Sequence, residues 1–146
     1  MPLLRLRPCH GLAALLFALI QGCALAPAPE AVPIPLPVGN WELVTATFAE
    51  HGRVPGAPRA TLAFRNGQVS AFSGCNTANG TVRGGDGQLE VQELAVTRRG
   101  CPEPLAWFES RYFKMLRSGS SYHLDGDMLA LSAGSDRARF RRVDGP

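Results

Sequence analysis

The stretch TLAFRNGQVSAFSGCNTANG, residues 61–80, decides how the rest of the chain is read. Leu62 and Phe64 stand two positions apart, Asn66-Gly67 follows, and Val69, Ala71, Ser73 and Cys75 continue at the same spacing. Residues at every second position share one face of a strand. Asn-Gly supplies the pair of positive φ angles that a tight hairpin needs. The segment therefore predicts an antiparallel hairpin whose second strand leads into Cys75.

The same rhythm extends in both directions. Trp41 and Leu43 share a strand face upstream. Downstream, Asp86-Gly87 introduces Leu89 and Val91, after which the apolar phase slips to Leu94 and Val96. A one-residue slip predicts a bulge or a strand end near Glu93. Tyr122 and Leu124 run into a turn at Asp125-Gly126, Leu129 and Leu131 run out of it, and Ala138 with Phe140 form the inner face of a last strand. Short apolar segments punctuated by turn signals at close spacing indicate antiparallel β-structure.

One segment breaks the pattern. In EPLAWFESRYFKMLRSG, residues 103–119, Leu105, Phe108, Tyr112, Met115 and Leu116 recur at helical spacing. Pro102 and Pro104 suit the entry of a helix and Gly119 suits its end. Trp107 and Phe113 widen the apolar face, so the helix should plug one end of a curled sheet or cross it. The fold class is mainly β with one helix (α+β), a small antiparallel curled sheet or barrel-like domain packed with a single amphipathic helix.

Length and charge narrow the function. The chain has 146 residues and a formal charge of +3; setting aside Arg5 and Arg7 leaves 13 basic against 12 acidic residues. One domain with one core is the natural size. Near-neutral charge without a concentrated basic face argues against nucleic acid as a partner.

Arg5 and Arg7 precede an apolar run from Leu12 to Ile20, and LIQGC follows at residues 19–23. The run is too short to span a bilayer and has the length of a secretory signal core. LIQGC resembles the bacterial lipoprotein signal, through Ile20, Gly22 and Cys23, with Gln21 departing from the usual small residue. The resemblance implies cleavage before Cys23 and lipidation of its thiol, with palmitate among the chains. The alternative is an ordinary leader with an incidental cysteine. Ala24, where an aspartate is absent, implies by the same resemblance the outer membrane. Prolines at 27, 29, 33, 35 and 37 then read as an extended tether, with a loop packed on the domain as the alternative for its last few residues only. The expected organisation is a signal peptide over 1–22, a lipidated cysteine and tether over 23–39, and a β domain over 40–146.

Four segments carry a further resemblance: GNWEL (39–43), FSGCNTANG (72–80), LAVTRRGCPEP (94–104) and YHLDGDMLAL (122–131). Their order and spacing resemble the META domain family, also known as HslJ-like, from about Gly39 to Val143. Thr81-Val82 and Arg99-Gly100 depart from residues the family often has there. The resemblance implies a small β domain with a helix, often an envelope lipoprotein tied to stress response or drug tolerance, without an established catalytic site.

Export places Cys75 and Cys101 in an oxidising compartment, as an even pair at positions that match the family motif. Such pairs are usually bonded, which makes a Cys75–Cys101 disulfide the expectation and two reduced, buried thiols the alternative. A thiol nucleophile would need a neighbouring base, and His51 and His123 both read as exposed. No enzyme activity is expected and no catalytic residue is assigned. Two cysteines 26 positions apart, without companion ligands, are too few for a closed zinc site. Asp125-Gly126-Asp127 begins like a calcium loop but lacks the remaining ligands. No metal and no cofactor is therefore expected.

Arg137, Arg139 and Arg141 alternate onto one side of the last strand. They read as a solvated face that also blunts a sheet edge, or as a candidate anion-facing patch that Arg98 and Arg99 extend. The sequence as a whole reads as a non-enzymatic envelope lipoprotein that binds an unidentified protein or envelope ligand, or supports envelope integrity. The alternatives are a lipid-anchored inhibitor of a lysozyme-like enzyme, using the loop TFAEHGRVPGAP (47–58), and an amphiphile-binding barrel with an open apolar cavity.

Overall fold

Asn66 and Gly67 both take positive φ, 50° and 73°, and the chain reverses on them between β3 (Thr61–Arg65) and β4 (Gln68–Phe72). Phe64 lies opposite Val69 and Leu62 opposite Ala71, and all four are buried. The computed structural model describes residues 35–50, 52–54 and 59–143. The expected leader over 1–22, Cys23, most of the tether and His51 lie outside the described residues.

The remaining elements are β1 (Gly39–Phe48), the two-residue β2 (Gly52–Arg53), β5 (Thr77–Gly85), β6 (Gln88–Val96), α1 (Leu105–Arg117), β7 (Ser120–Asp125), β8 (Met128–Ala133) and β9 (Asp136–Val143). The order is β2-β1-β3-β4-β5-β6-β7-β8-β9, and β9 also pairs with β1. That last pairing closes an antiparallel barrel of eight strands, with β2 attached to the end of β1. The barrel-like expectation is met. Closure corrects one reading, because β9 is bonded on both sides and its arginines guard no edge.

Two bulges set which residues point inward. Thr81 faces Gln92 and Asn79 faces Ala95, so β6 carries one extra residue opposite β5. The extra residue is Glu93, with φ of 53°, where the phase slip placed it. On β1, Leu43 faces Phe140 while Thr45 faces Arg139, which leaves Val44 unpaired and half exposed. Beyond it the phase is shifted, so Ala46 and Phe48 turn into the core. The turns after the helix fall on Gly126-Asp127, one residue later than expected, and on Gly134-Ser135. The glycine in each has positive φ.

Strand β4 stops at Phe72, and Gly74 at φ 98° bends the chain before Cys75. Cys75 therefore sits in the turn between β4 and β5 instead of continuing the strand.

Helix α1 closes one end of the barrel. Phe108, Tyr112, Phe113, Met115 and Leu116 are buried. Phe108 stacks on Tyr112 at 5.6 Å, and Phe48 at the end of β1 meets Phe108 and Trp107 edge-on. The Tyr112 hydroxyl donates to the Thr61 carbonyl at 2.9 Å, where β3 begins. Burying aromatic side chains of this size contributes roughly 1.5–3 kcal/mol each. Gly119 at φ 75° ends the helix and releases the chain into β7.

Residues 35–38 close the other end. The Pro35 carbonyl accepts from Tyr122 on β7, the Pro37 carbonyl from the Trp41 indole on β1, and the Val38 carbonyl from Arg142 on β9. Leu36 packs on the core. The packed domain thus begins by Pro35, ahead of the boundary at residue 40 read from the prolines. Between these two closures the interior is filled by the buried side chains of all eight barrel strands and α1.

Candidate functional site

The first turn after β4 is built on Ser73. The Ser73 and Asn76 backbones are joined by a bond from the Ser73 N–H to the Asn76 carbonyl at 3.0 Å, and the Ser73 hydroxyl accepts from the N–H groups of Cys75 and Asn76. This local bonding is what serine does in turns. It aims the Asn76 side chain at the helix.

Asn76 is 2% exposed and every polar atom of its side chain is used. Its amide donates to the Glu109 Oε1 and to the Arg99 carbonyl, both at 2.9 Å. Its carbonyl accepts from the Thr97 hydroxyl at 2.9 Å and from the Arg99 N–H at 2.8 Å. The second oxygen of Glu109 accepts from the Ser73 hydroxyl at 2.5 Å and the Asn76 N–H at 3.1 Å. Buried amides and carboxylates need this completeness, because each unpaired atom would cost about 1–3 kcal/mol. The cluster ties the β4–β5 turn, the segment after β6 and the middle of α1 together.

The disulfide lies beside it. Cys75 and Cys101 are bonded, with Cα atoms 6.1 Å apart, and both are partly buried. Their sulfurs and a Glu109 oxygen lie within 4.8 Å of one another. That triad would suit a soft metal only as thiolates. Here the sulfurs hold each other and Glu109 holds Ser73 and Asn76, so the donor set fits no metal ion in this oxidation state.

Next to the cluster, α1 and β6 form a groove. Strands β6 and β7 pair only at Gln88–Ser121 and Leu89–Ser120, and beyond that point the helix runs along β6. One depression, with a volume of about 450 Å³, is lined by Phe113 and Val96, by Ser110 and by Arg98, Arg99 and Arg117. A second, of about 520 Å³, continues past the helix end with Arg83, Gln88, Glu90 and again Arg117.

The other expected residues fall elsewhere. Arg137, Arg139 and Arg141 are exposed on the outer side of β9. Arg141 approaches Glu42 at 3.9 Å, and Arg137 donates to the Gly134 and Asp136 carbonyls. Arg98 and Arg99 line the helix groove, which none of these three lines, so they do not extend that row. His123 is exposed between the inward Tyr122 and the partly buried Leu124. The loop proposed for enzyme inhibition is described only at residues 47–50 and 52–54.

Glu109, Asn76, Ser73 and Thr97 were not singled out from the sequence. A signal existed for Glu109: it stands four residues after Leu105 and four before Phe113, an acid set in the apolar face of the helix.

The model of the META domain matches residues 35–144. The chain belongs to the META domain family. The match takes in Pro35, whose carbonyl accepts from Tyr122, and it spans every described strand and the helix of the META domain. Among solved structures, the chain is similar to a protein from Burkholderia xenovorans determined by NMR, with 25% identity and a TM-score of 0.60 over 82% of this chain and 97% of that one. A second NMR structure shares 21% identity with a TM-score of 0.58, covering 73% of this chain and 90% of its own. A crystal structure of a DUF4847 family protein from Bacteroides vulgatus has 13% identity and a TM-score of 0.50, covering 74% and 94%. The last two share the fold alone. No curated protein matches the sequence.

Proposed function

We propose that this META-domain protein is a lipid-anchored component of a bacterial envelope, held at the outer membrane through Cys23, that works by binding or by mechanical support under stress and not by catalysis. The observation that carries the reading is the Cys75–Cys101 bond. Disulfides persist in oxidising compartments, and a leader ending in LIQGC is the route to one. The prolines between Cys23 and Pro35 would hold the domain away from the lipid surface, at about 3.1 Å per residue in extended form.

Several features support the non-catalytic part. The bond removes both thiols of the domain from nucleophilic use, and the Asn76–Glu109 cluster spends its polar atoms on internal partners. The filled interior supports an outer-surface role over carriage of an amphiphile.

Metabolic labelling with palmitate tests the anchor. The wild-type chain should be labelled and fractionate with outer membranes, and Cys23→Ala should be unlabelled and soluble. Absence of label on the wild type, with the protein in the cytosol, would overturn the reading. A deletion strain complemented with each version then asks whether resistance to envelope stress needs the anchor.

A further inference from the structure

The arginines among the described residues differ in what their guanidinium groups engage. Arg65, Arg111, Arg137, Arg141 and Arg142 each engage an acceptor or a carboxylate. Seven others are exposed with guanidinium groups that engage none among the described residues: Arg53, Arg59, Arg83, Arg98, Arg99, Arg117 and Arg139. Four of these seven, Arg83, Arg98, Arg99 and Arg117, come together along the α1–β6 groove, and Arg117 borders both of its depressions, whereas Arg53, Arg59 and Arg139 line neither.

The groove is built by two regular elements. Ala106, Ser110, Phe113 and Arg117 recur at four, three and four positions, one stripe along α1. From Ala106 to Arg117 the helix rises roughly 16 Å. Facing it are Val96 at the end of β6 and the segment that follows, which the Asn76 bonds to Arg99 hold in place. Arg98 and Arg99 thus project from an anchored backbone, whereas Arg83 stands on β5 at the far end.

Two acids border the groove. The Glu109 carboxylate is occupied by Ser73 and Asn76, which leaves it little capacity for a guanidinium. Glu90 lies only in the second depression. Counting both acids against the four arginines, the groove keeps a positive excess, concentrated where Arg98, Arg99 and Arg117 meet. Lys114 and Arg117 both suit the negative end of the helix dipole. That accounts for neither Arg98, Arg99 nor Arg83.

A guanidinium fork matches oxyanions in bidentate fashion. A carboxylate has two oxygens and is filled by one such fork. A phosphate group offers three acceptor oxygens and a charge approaching two, so it suits several arginines lining one depression. We propose that the α1–β6 groove binds an extended anion bearing at least two phosphate groups, one served by Arg98, Arg99 and Arg117 and the next by Arg117 and Arg83. The inference deepens the binding role proposed above and rests on it, but its test is independent of lipidation.

The test is calorimetric titration of the full-length chain in detergent, at low salt, with tripolyphosphate, orthophosphate and the tricarboxylate tricarballylate. Tripolyphosphate should bind at least about tenfold more tightly than either of the others. Arg98→Ala/Arg117→Ala should lose about tenfold or more, while Arg139→Ala/Arg141→Ala on the outside of β9 should lose less than about twofold. Arg98→Gln/Arg83→Gln provides a second pair, and a far-ultraviolet spectrum with intact disulfide confirms the fold of each variant. Equal binding of tricarballylate, equal loss from the β9 pair, or no loss from either groove pair in folded protein would overturn the proposal. Flotation with cardiolipin vesicles, whose headgroup carries two phosphates, or with phosphatidylcholine vesicles distinguishes the source of the phosphate. Arginine-dependent excess capture by the first over the second, displaced by tripolyphosphate, indicates a lipid headgroup; equal, arginine-independent flotation with both, with tripolyphosphate still bound, indicates a soluble phosphate ligand. Failed palmitate labelling would sink the anchor and leave these titrations untouched.

Discussion

Asn76 and Glu109, 33 positions apart, meet through two hydrogen bonds: the Asn76 amide donates to Oε1 at 2.9 Å and its backbone N–H to Oε2 at 3.1 Å. Both carboxylate oxygens act as acceptors, and the second also takes the Ser73 hydroxyl. The pair links the turn that carries one cysteine to the helix that follows the other.

Glu109→Gln should therefore destabilise the domain despite preserving shape. A glutamine has one acceptor oxygen, and either orientation of its amide points an NH₂ group at a donor. The expected loss is about 1–3 kcal/mol, read as a lower urea midpoint at unchanged slope. Asn76→Ala should cost more, since it strands Thr97, Arg99 and Glu109 together. Equal stability of Glu109→Gln and wild type would show that water or rearrangement satisfies the cluster.

Breaking the cross-link should cost about 3.5 kcal/mol on the chain-entropy account, for the loop from Cys75 to Cys101. Cys75→Ser/Cys101→Ser should remain folded with a reduced melting temperature, because the Asn76 bonds to Arg99 hold nearly the same loop ends together. Combined with Asn76→Ala, the loss should exceed the sum of the two single effects. Strict additivity in that double-mutant cycle would mean that the two ties act independently.

Gly80→Ala should be destabilising for a different reason. A Cβ there would lie 2.8 Å from the Gln92 carbonyl oxygen and 3.3 Å from the Leu94 Cα, both backbone atoms flanking the Glu93 bulge. Neither is a flexible tip that can swing aside. An overpacking cost of about 1–3 kcal/mol is expected, measured by thermal unfolding, with amide exchange accelerated along β5 and β6. An unchanged melting temperature would mean that the bulge yields.

Tyr112 makes stability fall at alkaline pH. Burial raises the pKa of its hydroxyl well above the ordinary 10.0, and the hydroxyl donates to Thr61. A proton bound more tightly in the folded state stabilises it fully below the unfolded pKa, and that contribution is lost progressively as pH climbs beyond about 10. Tyr122 is shifted the same way, chiefly by desolvation, with the Gly87 backbone opposing and Asp86 assisting. Tyr112→Phe should cost about 1 kcal/mol at neutral pH and flatten the alkaline limb of the unfolding profile. An identical alkaline limb in the variant would assign the effect to other groups.

Much of the barrel is legible in the sequence. Asn66-Gly67 and Asp86-Gly87 each carry two positive φ angles, a local demand that only a few residue types meet, so their place in the sequence announces the turn. The slip from Leu89 and Val91 to Leu94 and Val96 is likewise local, and Glu93 is the residue it pointed to. The helix shows through the spacing of Phe108, Tyr112 and Leu116, because periodicity survives whatever the helix packs against.

Other features depend on parts of the chain that are distant in sequence. Nothing local distinguishes Val44 from its neighbours; it is unpaired because β9 must close on β1 with Phe140 and Ala138 inward, and that closure redirects Phe48 to the helix. The prolines at 35 and 37 look like tether until Tyr122 and Trp41 are seen to bond their carbonyls. Arg98, Arg99, Arg117 and Arg83 come from three separate segments, and they share a groove only because β6 and β7 part early and α1 fills the gap. Torsional preference and periodicity act over a few residues and are written in the sequence itself. Which surfaces meet is settled by closure of the sheet, a condition on the whole chain at once.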